Sequence, residues 1–248
     1  MLETRSHASE VLDDFALEGA EVEAALTSIE RVNRWLGGTR VLLDGFERLA
    51  ALPELARLER PLVVHDLGCG GGDGLRALAD WGRRRGRALE LCGLDASSAA
   101  LRLARDRSRG HPQVEYRQRD FLARDYTPDG VDVVTLNLCM HHLEDAQIFE
   151  LLARCRRAGV RAVLVNDLHR HALAYRLFGL LCRLTAAPRI AREDGLLSVA
   201  KGFRRSELEH HARAAGARLE LRWRWAFRYQ ALLCFPVPRA PGAANCAG

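Results

Sequence analysis

No stretch of this chain is apolar for long enough to cross a bilayer. The longest candidate, Val131 to Met140, is interrupted and falls well short of the roughly 18 residues that a span needs. An apolar leader is missing too. The opening MLETRSHASEVLDDF places acids early and holds no hydrophobic core, so no secretory signal is expected. The seven cysteines, at 69, 92, 139, 155, 182, 234 and 246, are odd in number and include no C-x-x-C pair. That argues against a disulfide framework and a zinc site. It fits a reducing cytoplasm, where a thiol in an apolar segment serves as a small hydrophobe. The formal charge is +5, but the arginines gather around 83–87, 102–109 and 154–161, each near the end of an expected helix. Cations there complement the backbone dipole, so no nucleic-acid partner is expected.

What is present is ample core material. Hydrophobic residues make up 48% of 248, enough for one large α/β domain with appendages. Residues 1–12 read as loosely ordered. Val22, Leu26, Ile29, Val32 and Leu36 recur at helical spacing and predict a helix over 21–36, stopped by Gly37 and Gly38. A second helix runs through Leu42, Phe46 and Leu49 to near Pro53. Residues 1–60 are thus expected to form a helical extension or lid, and 61–236 the main domain, with a helical insert around 170–202. The Pro/Gly/Ala-rich stretch 237–248 reads as a disordered tail.

From Leu62 onward, short apolar strands alternate with helical segments. Strands are expected at 62–66, 89–94, 114–119, 131–138 and 160–165, each followed by a helical pattern or a short loop. An apolar helix at about 173–184 is followed by a polar stretch to Lys201. Ser206-Glu207-Leu208-Glu209 reads as a capping box opening a further helix. Segments 217–225 and 227–235 can close the fold as an antiparallel hairpin. The expected architecture is a doubly wound, seven-stranded, mostly parallel α/β sheet. Ligands bind such sheets beyond the carboxyl ends of the strands, and Asp66, Asp95, Asp120, Asn137 and Asp167 all fall at or just after those ends.

The strongest motif is Val64-His65-Asp66-Leu67-Gly68-Cys69-Gly70-Gly71-Gly72. Glycines here let the backbone turn tightly and approach a ligand. A dinucleotide fingerprint, G-x-G-x-x-G, needs a third glycine where Asp73 or Leu75 stands, so a nicotinamide oxidoreductase is disfavoured. The remaining pattern, an acid followed by G-x-G-x-G, together with Asp95 after the second strand and Asp120-Phe121 after the third, resembles class I (Rossmann-like) S-adenosylmethionine-dependent methyltransferases of the small-molecule type. The resemblance covers about Pro61 to Leu143. It implies S-adenosylmethionine as cofactor, held by Asp66, Gly68, Cys69, Gly70, Gly72, Asp95, Ala96, Asp120, Phe121 and Asn137. Asp95 would take the ribose hydroxyls, Asp120 the adenine amino group and Phe121 a base face. Asn33-Arg34-Trp35-Leu36-Gly37-Gly38, Asp167-Leu168-His169-Arg170-His171 and Phe203-Arg204-Arg205-Ser206-Glu207-Leu208 look similar to bacterial phenolic polyketide or quinone-like methyltransferases, with Arg34 placed to pair with the methionine carboxylate.

The acceptor side is read from two loops. Asn137-Leu138-Cys139-Met140 departs from the N-P-P-Y stretch of base-modifying amino methyltransferases, which disfavours that specialisation. His141, His142 and His169 are the candidate general bases, with His142 slightly favoured. Asn137, Asn166 and Asp167 supply one carboxylate between them, a poor set for a hard cation, so no metal is expected. The resulting expectation is methyl transfer to oxygen, less readily to carbon, of a small and mainly apolar aromatic or phenolic acceptor, in secondary metabolism, by a cytoplasmic protein that can form a homodimer. The alternatives are a non-catalytic adenosylmethionine-binding protein and an RNA or protein methyltransferase.

Overall fold

Gly37 adopts φ +77 and splits the N-terminal helical pattern into α1 (Ala20–Trp35) and α2 (Gly38–Ala50). Only glycine enters that left-handed region without strain. A short α3 (Pro53–Ala56) leads into the sheet. The computed structural model describes residues 2–185 and 187–236; the tail expected at 237–248 lies outside the described residues.

The alternation then runs β1 (Leu62–Leu67), α4 (Asp73–Arg85), β2 (Leu89–Asp95), α5 (Ser98–Arg107), β3 (Val114–Gln118), β4 (Val133–Asn137), α6 (Asp145–Arg157) and β5 (Ala162–Leu168). After these come α7 (Ala172–Leu184), α8 (Arg189–Lys201), α9 (Arg205–Ala214), β6 (Arg218–Arg224) and β7 (Arg228–Cys234). The strand order is β3-β2-β1-β4-β5-β7-β6. Every neighbouring pair is parallel except those made by β7, which runs antiparallel between β5 and β6. This is the doubly wound, mostly parallel sheet with a C-terminal hairpin that the pattern implied.

Both faces of the sheet are covered, so its central strands are apolar on both sides rather than alternating. One face packs Val64, Val133 and Leu164 against Leu42, Phe46, Leu75, Leu78 and Leu101 from α2, α4 and α5. The other packs Leu67, Val134, Leu136 and Val163 against Ile148, Leu151, Leu152 and Leu208 from α6 and α9. Among the described residues no helix is long and apolar enough to cross a membrane.

Two local expectations are corrected, and the helical insert expected around 170–202 is refined. The start of the chain is not loose: Ser6 N–H donates to the Ala200 carbonyl at 3.1 Å, and the Arg5 guanidinium lies 4.5 Å over the Phe203 ring while donating to the His141 carbonyl at 2.9 Å. The polar stretch before Lys201 is helix α8. Its inner face includes the buried charges Asp194 and Lys201 beside Ile190, Ala191 and Val199, so no clean apolar stripe announced it. Helix α9 is capped two residues early, at Arg204 rather than Ser206, with Glu207 accepting from Arg204 N–H at 2.6 Å. Glu207 also takes the buried Arg170 in a two-pronged pair at 2.7 and 3.1 Å.

Asp194 is the clamp on the N-terminal segment, accepting from Val11 N–H at 2.8 Å and Leu12 N–H at 3.0 Å. Asp194→Ala leaves both donors without their acceptor and should lower stability by about 1–3 kcal/mol. Chemical denaturation and limited proteolysis check this: cleavage within residues 2–17 should accelerate, and Asp194→Asn should be milder. Unchanged cleavage would show that the segment is held elsewhere.

Candidate functional site

The turn after β1 is built by three left-handed glycines, Gly68, Gly70 and Gly72, at φ +68, +52 and +75. A side chain at Gly68 would press its Cβ to 2.4 Å from the Cys139 Sγ, and one at Gly72 to 2.2 Å from the Tyr116 hydroxyl. Gly70 differs: a Cβ there meets nothing within 4 Å. The turn is therefore closed on two sides and open at its apex, the form a backbone takes when a ligand must come close. Cys69 between them is buried, and burial raises its thiol pKa well above the ordinary value.

Asp95, at the end of β2, ties that turn in place. It accepts from Gly70 N–H at 2.8 Å and from Ser97 N–H at 2.9 Å, while the Ser97 hydroxyl caps α5 through Ala100 N–H at 3.2 Å. The cap belongs to Ser97, and Asp95 keeps further lone pairs. Burial pushes the Asp95 pKa up. Ala96 is half-buried, and its carbonyl accepts from Gln118 Nε2 at 3.1 Å. Asp120 is exposed and accepts from Leu122 N–H at 2.8 Å; Phe121 reaches back so that its ring edge lies 3.9 Å from where a Gly68 Cβ would stand.

Asp66 lies beside the start of α4, its Oδ2 3.6 Å from where a Gly74 Cβ would stand. It is wholly buried, accepts from the Thr135 hydroxyl at 2.6 Å, and is pushed up to about 7 by burial, with Asp73 and Asp95 adding to the rise. Asn137 and Asn166 face each other in register across β4 and β5, joined at 2.6 Å. Arg34 is exposed and turned away, lining an open cleft of about 810 Å³ with Trp35, Trp81 and Trp225. Its neighbour Asn33 is the residue that reaches inward, to Asp73 at 3.1 Å. The guanidinium that the sequence reading missed is Arg228, at the start of β7. It is buried beside Gly38 and Asn33, its Nε and Nη1 lack hydrogen-bond partners among the described residues, and burial lowers its pKa to about 10.

The two adjacent histidine rings lie 4.2 Å apart, tilted by 35°, but take different partners. Asp167, fully buried, accepts from the His141 ring at 2.7 Å, from His141 N–H at 3.0 Å and from Leu168 N–H at 2.7 Å. Burial alone would raise its pKa, but His141 and those N–H groups hold it below the usual range. His142 stays partly exposed and pairs through Nδ1 with Asp13 at 2.6 Å. Lys201, the chain's single lysine, lies 3.1 Å from Asp13 and 3.4 Å from Glu10, whose pKa is raised by burial despite His142 and Lys201. His169 is not part of this group. It accepts from Trp223 Nε1 at 3.2 Å and lines a separate cleft of about 640 Å³ with Arg170, His171 and Arg204; burial, with those basic neighbours, depresses its pKa.

Nothing in the local sequence flagged Glu10, Asp13 or Lys201, because each gains its meaning only from a partner more than a hundred positions away. Asn137, Asn166 and Asp167 do not converge as a ligand set, since the asparagines hold one another and Asp167 holds His141. Among the described residues, the trio that could receive a cation is Glu10, His141 and His142, whose candidate ligand atoms lie within 4.8 Å of one another. Lys201 already brings positive charge to that cluster.

Residues 64–159 match a family described as a methyltransferase domain. The 2-phytyl-1,4-naphtoquinone methyltransferase of Thermosynechococcus vestitus (strain NIES-2133 / IAM M-273 / BP-1) is 35% identical over 114 residues, which are 46% of this chain and 49% of that protein. The chain thus spans about half the length of this curated relative. Among solved structures, an O-methyltransferase family protein from Burkholderia thailandensis superposes with a TM-score of 0.64 at 19% identity, covering 92% of this chain and 64% of that one. The plantazolicin methyltransferase BpumL in complex with SAH gives 0.62 at 16% identity, over 86% and 95%. Human N-acetylserotonin methyltransferase in complex with SAM gives 0.60 at 16%, over 87% and 56%. These likenesses establish the fold.

The buried Asp66 makes stability depend on pH. Its folded pKa, about 7, lies above the ordinary carboxylate value, so the folded state holds the proton more tightly. Its contribution is present at low pH and is lost as pH rises through about 7. Asp66→Asn keeps an acceptor for Thr135 and should remove that loss, a gain on the order of 1–4 kcal/mol at about pH 8 relative to about pH 4. Urea unfolding of both proteins across that range checks it; parallel curves would place the Asp66 pKa at its ordinary value.

Proposed function

Starting from a chain that carries a class I, Rossmann-like methyltransferase domain, we propose that it binds S-adenosylmethionine and transfers its methyl group to an oxygen of a small, mainly apolar aromatic or phenolic acceptor. The observation that carries this reading is the Gly70–Asp95 hydrogen bond, which fixes an open glycine apex beside a carboxylate with lone pairs to spare. The residues present fit the cofactor. Asp95 would take ribose hydroxyls, the Gly68–Gly72 turn and Ala96 would lie along the nucleoside, and Asp120 with Phe121 would face the base. With Arg34 turned to solvent, Arg228 supplies the buried donors suited to a carboxylate, and Asp66 with Asn137 lines the inner end. When bound, the cofactor supplies an already activated sulfonium methyl, so the protein's task is positioning and proton removal.

His142 is the base in this reading. Its Nδ1–H donates to Asp13, which leaves Nε2 free to accept a phenolic proton, and unlike His141 it is partly exposed. Asp13 is held low: burial acts against it, but the hydrogen bonds from His142, the Glu10 backbone N–H and the Lys201 ammonium outweigh that penalty. His141 and Asp167 brace the loop. Support for an oxygen acceptor comes from the Burkholderia neighbour, described as an O-methyltransferase family protein, and for a flat apolar ring from the naphthoquinone in the Thermosynechococcus relative's name. A place in secondary metabolism agrees with such an acceptor.

Asp95→Ala should weaken adenosylmethionine binding by about 1.5–3 kcal/mol, measured by calorimetry on a variant that still melts cooperatively. Tighter binding of NADH than of adenosylmethionine by the native protein would overturn the whole reading. His142→Ala should lower turnover by about 10²–10⁴-fold with cofactor affinity nearly unchanged. His141→Ala should instead cost about 3–5 kcal/mol of stability, because it strands the buried Asp167 carboxylate. Normal turnover by the His142 variant across a broad pH range would remove it as the base.

A further inference from the structure

Helix α7 carries an apolar face that nothing among the described residues covers. Leu173, Leu177, Leu180 and Leu184 are spaced four, three and four apart and are 45–76% exposed. At 3.6 residues per turn they fall within about 60° of arc, forming one stripe. The opposite side is used: Ala174 and Cys182 are buried, and Phe178 packs against Gly195 of α8 so closely that a Cβ there would come within 2.4 Å of its ring. Beside the stripe lie Arg176 and Arg183, both exposed, and α7 contains no acidic residue. On α8, Arg192 is exposed as well, while Arg189 is paired with Glu193 at 3.1 Å.

The stripe continues into aromatic surface. His171, the cap of α7, stacks on Phe227 at 5.3 Å, and Phe227 meets Trp223 edge-on at 6.0 Å. Trp223 and the nearby Trp225 are exposed, and Trp225 shares a cleft with the exposed Trp35. Of the large apolar side chains exposed among the described residues, all but Phe15 belong to α7, the β6–β7 hairpin or the end of α1. Leucines on one face, arginines along its flank and tryptophans at its border are what a helix lying in a lipid interface requires.

We propose that α7, with Trp223 and Trp225, is a peripheral docking face for an anionic lipid surface. The charge decides between this occupant and a second copy of the chain. A twofold antiparallel pairing of α7 with itself would keep both arginine rows on the same side, like charge against like. Anionic headgroups would instead attract them. The proposal does not rest on the methyl-transfer reading, because vesicle binding is measured without cofactor.

The test is co-sedimentation with vesicles of three parts phosphatidylcholine to one part phosphatidylglycerol, and with phosphatidylcholine alone. The full chain should bind the first, lose binding as salt rises, and bind the second weakly. Arg176→Glu with Arg183→Glu, and separately Leu177→Ser with Leu180→Ser, should each weaken partitioning roughly tenfold or more. Both pairs are exposed, so thermal melting should stay near that of the native protein. Equal binding by the variants, or equal binding to both vesicle types, overturns the proposal. So does a concentration-dependent dimer, seen by sedimentation velocity and abolished by the leucine substitutions, that leaves vesicles untouched.

Discussion

A carboxylate with no access to water organises the ligand end of this protein. Asp167 is fully buried, and leaving such a charge unpaired costs several kcal/mol. Three donors answer it: the His141 ring, the His141 backbone and the Leu168 backbone. To supply them, the loop after β4 must turn in toward β5, and Leu138 takes φ +55 to make that turn, a conformation few residues with a side chain adopt. With the loop so placed, Cys139 closes under Gly68, and His142 is left facing outward to Asp13. The glycine turn and the histidine pair are thereby parts of one arrangement.

Division of labour between His141 and His142 follows from environment alone. One is enclosed by Asp167 and Glu10 and holds the loop; the other is partly exposed, pairs through Nδ1 with Asp13, and is the one proposed as the base. Chemically identical side chains, adjacent in sequence, are sorted by which carboxylate each meets and how much solvent each retains.

Much of the frame was legible because its signals are local. The strand ends at Asp66, Asp95, Asn137 and Asp167, the Ser97 cap and the Gly37 break all show in short windows of sequence, and each appears in the structure. What escaped is non-local. Helix α8 hides its inner face behind Asp194 and Lys201, which are solvated neither by water nor by neighbours in sequence but by the N-terminal segment. Glu10 and Asp13 read as ordinary solvent-facing acids until that segment is laid across the site. Arg34 and Asn33 illustrate the finer limit: one step along a helix rotates a side chain by about 100°, enough to exchange an inward amide for an outward guanidinium.

The clamp between Val11 and Asp194 joins residues 183 positions apart. Ribosomes add about 5–20 residues per second, so Val11 is made on the order of 10–40 s before the helix that will hold it. The strands from β1 to β5 are made within that interval, and parallel pairing among them does not need the clamp. Whatever pairs among β1 to β5 beforehand, the charged cluster around His142 cannot close until Lys201, 188 positions after Asp13, has been made.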